Sequence, residues 1–397
     1  MPSSFEPGAP ANDGMIPLCV PELRGNEWKY VQECLDTGWV SSVGAYVDRF
    51  ENELAQRVGT KYAVATVNGT SALHIALLVA GVKPDDEVIT SSLTFIAPAN
   101  TIRYVGAYPV FIDAEPAYWQ MDVARVAAFL HDDCVYTNGE VRNKKTGRRV
   151  SAILPVHILG HPVEMDSLMA LAREFNLTVI EDATEALGTK YRAQNAGQIG
   201  DIACFSFNGN KLITTGGGGM IVTNNSEWAR RAKYLTTQSK DDPIEYIHKS
   251  VGYNYRLPNP LAAMGCAQLE HLDEYIAAKR RTADFYTETL ARIPGITPMQ
   301  QAPWAFSTFW MYTILADEKA FGMSSRALLQ ALAQAGIQTR PLWQPLHQSE
   351  VFREIVDAQC PVSEQLNQTA LSLPCSVGIT EQQRTRVAEH IVGCARK

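Results

Sequence analysis

Short β-rich runs alternate with helical patterns through the middle of this 397-residue chain. Residues 61–67, 87–94, 108–114, 151–158 and 177–183 are rich in Val, Ile and Leu, and helical patterns separate most of them. Strands that are apolar along their whole length are typical of a parallel sheet covered on both faces. The sequence therefore predicts an α/β fold built on a mostly parallel sheet.

Two features interrupt this parallel pattern. The apolar runs at 202–207 and 219–223 have only eleven residues between them, which is short for a crossover helix. We therefore expect at least one antiparallel pairing in the sheet. Residues 132–150 contain Asn138-Gly139 between apolar positions, a pattern that predicts a surface hairpin inserted into the sheet domain.

The C-terminal part of the sequence predicts a smaller α+β unit. A helical pattern runs almost unbroken over residues 260–293, long enough to bridge two domains. Beyond Pro294-Gly295 we expect a strand and two helices, the last of them capped by Thr380. The predicted organisation is a disordered leader (1–14), a large domain (15–259) and a small C-terminal domain that includes the linking helix (260–397).

The charge and the apolar content exclude several classes of protein. The 35 Lys and Arg against 42 Asp and Glu give a net charge of -7, which disfavours nucleic-acid binding. No apolar run is long enough to span a bilayer and no export signal is visible, so we expect a cytoplasmic protein without membrane contact. The eight cysteines are dispersed without metal-ligand spacing, so we expect reduced thiols and no metal site.

Polar segments follow several predicted strands, and ligands of open α/β sheets bind at that edge. The segment Asn68-Gly69-Thr70-Ser71 follows the first strand and opens a helix. Its N–H groups and hydroxyls would face an anion such as a phosphate. A plain helix cap made by Thr70 or Ser71 is the alternative.

Two acidic residues, Glu181 and Asp182, end another apolar strand. A buried carboxylate needs a partner, and a protonated heterocyclic nitrogen would serve. A helix cap, or an ion pair with Arg or Lys, would serve as well. The sequence leaves these alternatives open.

One lysine stands out because of its surroundings. Lys211 follows the strand at 202–207 and precedes four consecutive glycines, Gly216 to Gly219. A lysine that links to a carbonyl cofactor must be held in place and partly desolvated, and glycines let the backbone approach closely. The pattern favours a cofactor-bearing lysine over a solvated one.

An aromatic side chain and a histidine complete the set. Phe95 follows the strand at 87–94 and would stack on a planar ring, although a core role explains it equally when it is taken alone. His157 fits either an internal hydrogen bond or a substrate contact. Phosphate donors, a carboxylate, a lysine and a ring platform at four strand ends together indicate a pyridoxal phosphate site.

Seven motifs occur in a fixed order along the chain: Gly38-Trp39-Val40-Ser41-Ser42, Asn68-Gly69-Thr70-Ser71-Ala72-Leu73, Thr94-Phe95-Ile96-Ala97, Pro155-Val156-His157, Glu181-Asp182-Ala183, Ser206-Phe207 with Lys211, and Gly252-Tyr253-Asn254-Tyr255-Arg256. In these motifs the chain resembles the fold-type-I, pyridoxal-phosphate-dependent sugar aminotransferases of the DegT/StrS type. The resemblance implies an aspartate-aminotransferase-like α/β fold. Its mostly parallel seven-stranded sheet would carry helices on both faces, beside a smaller C-terminal α+β domain.

The resemblance also implies roles for individual residues. Lys211 would carry the cofactor and move protons, Asp182 would pair with the ring nitrogen, and Phe95 would stack on the ring. Asn254 would reach the phosphate from a second subunit, so the active unit would be a homodimer with shared sites. The residues expected to contact the cofactor are Gly69, Thr70, Ser71, Phe95, Asp182, Glu185, Ser206, Lys211 and Asn254.

Two departures from the common family pattern narrow the substrate. The usual Gly-Glu-Gly-Gly is Gly216-Gly217-Gly218-Gly219 here, and Glu185 replaces a frequent Gln. Together with Asn208-Gly209-Asn210-Lys211 they resemble the aminotransferases of legionaminic-acid and bacillosamine-type pathways. That resemblance implies transfer of an amino group from L-glutamate to the C4 ketone of a UDP-2-acetamido-2,6-dideoxy-hexos-4-ulose, for surface glycans such as the lipopolysaccharide O-antigen.

Three alternatives remain beside this expectation. The first is the same reaction on GDP-4-keto-6-deoxymannose, which gives perosamine. The second is a dehydratase on the same scaffold, and Lys211 argues against it because such relatives carry His instead. The third is a non-catalytic regulator, which would need a basic DNA-binding module that the sequence lacks. The expected substrate contacts are Trp39, Ser41, Ser42, His157, Arg256, Arg340, Trp343 and His347, and each of them has an equally good structural explanation.

Overall fold

The computed structural model describes residues 14–242, 244–353 and 358–395. The predicted disordered leader lies outside the described residues except for Gly14. The helices of the described part are α1 (Glu27–Asp36), α2 (Ala45–Val58), α3 (Gly69–Val79), α4 (Ala97–Tyr104), α5 (Val123–Ala128), α6 (Met165–Glu174), α7 (Ser226–Thr236), α8 (Asn259–Leu269), α9 (Leu272–Leu290), α10 (Glu318–Phe321), α11 (Ser325–Gln334), α12 (Pro361–Thr369) and α13 (Glu381–Cys394).

The strands fall into one large and three small sheets. They are β1 (Tyr62–Thr66), β2 (Glu87–Ser91), β3 (Tyr108–Ile112), β4 (Cys134–Thr137), β5 (Glu140–Asn143), β6 (Arg149–Leu154), β7 (Thr178–Asp182), β8 (Lys190–Tyr191), β9 (Gln194–Asn195), β10 (Ile202–Ser206), β11 (Gly219–Thr223), β12 (Lys240–Asp242), β13 (Ile247–His248), β14 (Ile296–Pro298), β15 (Ala305–Phe306), β16 (Tyr312–Ala316) and β17 (Ala370–Leu373).

The main sheet has the strand order β1-β11-β10-β7-β6-β2-β3. Strand β11 runs antiparallel to β1 and β10, and the remaining neighbours run parallel. This confirms the predicted seven-stranded α/β fold and the antiparallel pairing of residues 202–207 with 219–223. Four of the five residues of β10 and all five of β11 are buried, as expected for a sheet covered on both faces.

The predicted surface hairpin is also confirmed. Strands β4 and β5 pair antiparallel, and β5 continues the pairing onto β6. Between them Asn138 and Gly139 have φ values of 54° and 80°. Positive φ at both turn positions is the requirement of the type I′ turn, and Asn-Gly meets it at least cost.

The long helix predicted over residues 260–293 is two helices, because the chain breaks between α8 and α9. The carboxylate of Glu270 at this break accepts hydrogen bonds from Asn26 Nδ2 (2.7 Å), Tyr30 Oη (2.7 Å) and Arg49 Nη2 (3.1 Å). Hydrogen bonds to the α1 and α2 region therefore fix the position of the chain between α8 and α9. Neither Gly nor Pro lies at this break, so the sequence does not predict it. The predicted cap of α13 is confirmed, since Thr380 and Gln383 form a reciprocal capping box.

The C-terminal part contains the antiparallel sheet β14-β16-β17, flanked by helices. The largest cluster of buried apolar side chains includes residues from both sides of the predicted boundary, for example Phe50 and Tyr286. The division into two domains near residue 260 therefore stays a prediction. Across the described residues, none of the helices combines the length and the apolar character that crossing a membrane requires.

Candidate active site

A cavity of about 970 Å³ lies at the carboxyl edge of the main sheet. The register of the sheet explains why polar segments meet there, since Cys204 pairs with Asp182, and Gly219 pairs with both Ser206 and Thr66. The predicted site residues that line this cavity are Gly69, Thr70, Phe95, Asp182, Glu185, Ser206, Lys211, Arg340 and Trp343.

One end of the cavity is the N-terminus of α3. Asn68 caps this helix, because its Oδ1 accepts a hydrogen bond from the Ser71 N–H (2.7 Å). The first intrahelical bond runs from the Ala72 N–H to the Asn68 carbonyl (3.1 Å), so the N–H groups of Gly69 and Thr70 precede it and have no partner within the helix. Such a helix start attracts an anion. Ser71 itself is buried and does not line the cavity.

Two glycines allow this helix start to sit tightly against the strand ends. A Cβ added to Gly69 would lie 2.8 Å from the Ser206 Cβ, and one added to Gly219 would lie 2.5 Å from the Asn68 backbone. Both distances are well below the van der Waals contact distance, so a side chain at either position would clash. The run of four glycines is therefore needed in part for close packing of β11 against the Asn68 backbone.

Lys211 projects from a closed loop between β10 and β11. Backbone bonds from Phe207 N–H to the Gly218 carbonyl (2.8 Å) and from Thr215 N–H to the Phe207 carbonyl (2.9 Å) close the neck of this loop. The Lys211 side chain is only 14% exposed, and its Nζ lies 3.6 Å from Glu185 Oε1. The same Nζ lies 4.2 Å from the centre of the Trp310 ring. The amine is thus held in place and largely shielded from water, as the sequence predicted.

Two buried carboxylates face the same cavity as Lys211. Burial raises the pKa of Asp182, while a hydrogen bond from the Thr184 N–H (3.1 Å) and the charge of Lys211 oppose that shift. Burial likewise raises the pKa of Glu185, whose Oε2 accepts the Leu159 N–H (2.9 Å). Asp182 is therefore a buried acid with little local compensation, and a cation placed in the cavity would stabilise its charge.

Glu181 points away from the cavity, because successive residues of a strand face opposite sides of the sheet. It accepts N–H groups from Gly197 (2.8 Å), Ile199 (2.8 Å) and Gly200 (2.5 Å), and its Oε2 lies 2.9 Å from His157 Nε2. Burial alone would raise the pKa of Glu181, but His157 and these N–H groups hold it below its ordinary value. Of the two adjacent acids, Glu181 is the structural one.

Three of the predicted substrate contacts have hydrogen-bond or ion-pair partners within the chain. His157 is fully buried, and because its Nδ1 accepts the Val163 N–H (3.1 Å), its Nε2 donates to Glu181. Arg256 is paired with Glu51 (2.8 Å) inside the protein. The His347 ring lies between Ser92 Oγ (2.7 Å) and Glu364 Oε1 (3.0 Å). None of the three lines the cavity of the single chain, and their roles as substrate contacts stay predictions.

Four further predicted residues also lie outside the cavity lining. Trp39, Ser41 and Ser42 belong to a surface loop that is anchored by Asn259, whose Nδ2 donates to the Trp39 carbonyl (2.9 Å). Asn254 is exposed and pairs by its backbone with Thr237. Within a single chain the structure does not bring these four side chains to Lys211.

Some residues that line the cavity had no predicted role in the site. Trp310 is the main one, because its ring contacts Lys211 and its Nε1 donates to the Asn210 carbonyl (2.8 Å). It comes from the C-terminal third of the chain, two residues before β16, and no local sequence pattern there predicts this contact. The other lining residues without a predicted role include Cys19, Thr184, Asn208, Gln338 and Ser372.

The residues present fit pyridoxal phosphate. The free N–H groups at the start of α3, with Ser206 beside them, suit the phosphate. The poorly compensated carboxylate of Asp182 suits a protonated ring nitrogen, and the exposed face of Phe95 (56% exposed) suits a planar ring. When bound, this cofactor supplies an electron sink for negative charge that develops on a substrate carbon.

Comparison with known proteins agrees with this geometry. Residues 21–392 match the model of the DegT/DnrJ/EryC1/StrS aminotransferase family. The GDP-perosamine synthase of Caulobacter vibrioides is 40% identical over 94% of this chain and 96% of its own length. The GDP-perosamine synthase of Escherichia coli O157:H7 is 38% identical over 95% of this chain and 97% of its own length.

A solved structure gives the same result for the fold. The aminotransferase PseC of Helicobacter pylori, involved in the biosynthesis of pseudoaminic acid, superposes with a TM-score of 0.87 at 25% identity, covering 96% of this chain and 99% of that one. The extent of the family match leaves no large segment unaccounted for. The chain therefore belongs to the DegT/DnrJ/EryC1/StrS family and is a pyridoxal-phosphate-dependent sugar aminotransferase.

Proposed function

We propose that this aminotransferase transfers an amino group, from L-glutamate, to the C4 ketone of GDP-4-keto-6-deoxymannose. The observation that carries the proposal is that two relatives matching nearly the whole chain, at 40% and 38% identity, are GDP-perosamine synthases. This substrate was the alternative to the UDP-linked sugar in the sequence-based prediction. The UDP-linked N-acetylated sugar is the second candidate, supported by Glu185 and the Gly216–Gly219 run.

In the proposed reaction Lys211 is the residue that moves protons. Its Nζ is shielded by the Trp310 ring and lies near Glu185, so it can exchange a proton with C4 of the sugar without competition from bulk water. Delivery from one side fixes the configuration at C4. Asp182 would keep the cofactor ring nitrogen protonated, and the start of α3 would hold its phosphate.

Residues on the opposite wall would bind the nucleotide sugar. Arg340 lines the cavity and is fixed by backbone hydrogen bonds to Ser372 in both directions (3.2 and 2.7 Å). A guanidinium in this position suits the diphosphate, and the half-buried Trp343 beside it offers a stacking surface for the sugar or the base.

A homodimer with shared sites is part of the proposal. Asn254 is exposed, and the segment of residues 244–251 that precedes it carries apolar side chains in water, such as Ile244 (81% exposed) and Val251 (80% exposed). A second copy covering this surface would bury them and would bring Asn254 towards the phosphate end of the neighbouring cavity. The cytosol stays the proposed location.

A two-stage spectroscopic experiment tests the substrate. The cofactor-loaded protein is first mixed with L-glutamate until its visible absorbance has bleached, and excess donor is removed. Recovery of the absorbance is then followed after addition of GDP-4-keto-6-deoxymannose, the UDP-linked ketosugar, or GDP-mannose as a control without a ketone. We expect the GDP-linked ketosugar to react about tenfold or more faster than the UDP-linked one. Faster recovery with the UDP compound would overturn the choice of nucleotide, and recovery with neither would overturn the 4-keto acceptor.

A further inference from the structure

A buried lysine contacts two thiols at the rim of the active-site cavity. Lys279, on α9, is 1% exposed. Its Nζ donates to the Trp310 carbonyl (2.8 Å) and lies 3.4 Å from Cys19 Sγ and 3.6 Å from Cys375 Sγ. No Asp or Glu in the described part of the chain forms an ion pair with it. Its ammonium group is therefore buried with one neutral carbonyl and two sulfur atoms as neighbours.

A buried ammonium without a counter-ion is costly, so the environment favours a negative charge on one sulfur. Cys19 is the sulfur that carries it. A hydrogen bond from the Cys375 thiol and the charge of Lys279 lower the pKa of Cys19 to about 6, although burial alone would raise it. The same hydrogen bond and burial raise the pKa of Cys375. Cys19 is therefore the thiolate, and Cys375, whose Sγ lies 3.6 Å from the Trp310 carbonyl and 3.6 Å from the Met311 Sδ, keeps its proton.

The position of Cys19 makes this thiolate accessible from the cavity. Cys19 is half-buried and lines the cavity, and its Sγ lies 3.6 Å from the carbonyl of Asn210, the neighbour of Lys211 in the chain. The two cysteine segments lie side by side, since the Cys375 N–H donates to the Leu18 carbonyl (2.8 Å). None of the eight cysteines takes part in a disulfide.

We propose that Cys19 is an oxidant-sensitive modification site at the rim of the active-site cavity, with Lys279 as its fixed cation and Cys375 as its resolving thiol. This goes beyond the proposed amino transfer, which needs none of the three residues to react. The co-reactant is a hydroperoxide. Low-pKa thiolates next to a cation and a second thiol are the cysteines that such oxidants attack first.

The chemistry proceeds in two balanced steps. The Cys19 thiolate attacks the terminal oxygen of the hydroperoxide, so that an S–O bond forms while the O–O bond breaks, and the departing oxygen takes up a proton from solvent and leaves as water when the oxidant is hydrogen peroxide, or as an alcohol when it is an organic hydroperoxide. The Cys375 thiol then attacks the oxidised Cys19 sulfur, an S–S bond forms, and a water molecule leaves with the thiol proton. An external thiol reverses the disulfide by exchange. Oxidation removes the counter-ion of Lys279 and joins two segments at the rim, so the activity is expected to fall reversibly.

The first test measures the pH dependence of alkylation in the cofactor-loaded protein. Short pulses of iodoacetamide are quantified by mass spectrometry at Cys19 and at Cys394, a matched half-buried cysteine whose pKa is raised by burial. The titratable groups facing Cys19 are Lys279, Cys375 and, farther away, Lys211. The Cys19 rate should level off near neutral pH, whereas the Cys394 rate should rise about tenfold per pH unit between pH 6 and 8. Equal pH profiles for the two cysteines would overturn the proposal.

The second test identifies the products of oxidation. One equivalent of hydrogen peroxide should give a peptide pair linked through Cys19 and Cys375, with activity that dithiothreitol restores. Cys375→Ser should instead accumulate a sulfenic acid at Cys19 that dimedone traps. Lys279→Met should shift the alkylation profile of Cys19 to higher pH, and Cys394→Ser should behave as the parent. If the oxidised parent protein contained no Cys19–Cys375 disulfide, the proposed roles of these two cysteines would be wrong. This outcome does not depend on which sugar the enzyme uses.

Discussion

Glu181 and Asp182 are adjacent in the chain and both almost fully buried, yet their carboxylates lie in opposite environments. Glu181 is held by three backbone N–H groups and His157 on one side of the sheet. Asp182 lines the cavity on the other side and receives the Thr184 N–H. One strand end therefore supplies one acid with internal partners and one acid that faces the cavity, and mutation can separate the effects of the two.

Glu181→Gln should weaken the fold. The folded-state pKa of Glu181 is lowered, so its stabilising contribution is present above its unfolded pKa and is lost as the pH falls through the folded value. At pH 7 the variant should lose about 3 kcal/mol of unfolding free energy in urea titrations, and the loss should shrink towards pH 4 and below. The exposed Glu174→Gln is the matched control and should change the unfolding free energy by less than about 0.5 kcal/mol.

Asp182→Asn should have the opposite profile. The folded-state pKa of Asp182 is raised by burial, so stability that is fully present below its unfolded pKa is lost as the pH rises through the folded value. The cofactor-free variant should therefore melt at a higher temperature than the parent at pH 8 and at the same temperature near pH 4. Amino transfer should fall by about 100-fold or more. A variant with parental turnover would show that the ring nitrogen has another partner.

The sequence predicts a feature when neighbouring residues determine it, and it does not when contacts between distant residues determine it. The strand ends, the hairpin turn at Asn138 and the glycine-rich loop after Lys211 follow from neighbouring residues. Period-two alternation separates Glu181 from Asp182, but which side of the sheet holds the cavity depends on the whole topology.

Side chains with distant partners were beyond sequence reasoning. His157, Arg256 and His347 have types and positions that suit substrate binding, and only the fold brings them to Glu181, Glu51 and Glu364. Trp310 was missed for the converse reason, because its contact with Lys211 depends on how the C-terminal part packs against the main sheet. The break between α8 and α9 also arises from tertiary contacts, those of Glu270.

Arg340→Met should weaken binding of the nucleotide sugar without affecting the donor half-reaction. Loss of a charge-assisted contact to a diphosphate should raise the KM for the ketosugar by about 10- to 100-fold, while bleaching by L-glutamate keeps its rate. Stopped-flow measurement of both halves separates the effects. Arg292→Met, an exposed arginine outside the cavity, is the control. Equal slowing of both halves would assign Arg340 to the donor carboxylates as well.

The shared-site dimer makes a complementation prediction. When Lys211→Ala and Asn254→Ala subunits are mixed and allowed to exchange, each mixed dimer should contain one intact site, and the activity should recover to about a quarter of the parental value. Lys211→Ala mixed with Asp182→Asn is the control, because both residues line the same cavity of one chain and no intact site can form. Absence of recovery in the first mixture would argue that Asn254 acts within its own chain.

The most direct test of the central assignment is the turnover of Lys211→Ala with L-glutamate and the preferred ketosugar. Lys83→Ala, at an exposed position away from the cavity, serves as the matched control and should keep parental turnover. If Lys211 carries the cofactor and moves the proton at C4, its removal should lower turnover by about 1,000-fold or more, and the protein should remain folded. Amino transfer by Lys211→Ala at the parental rate would contradict the account.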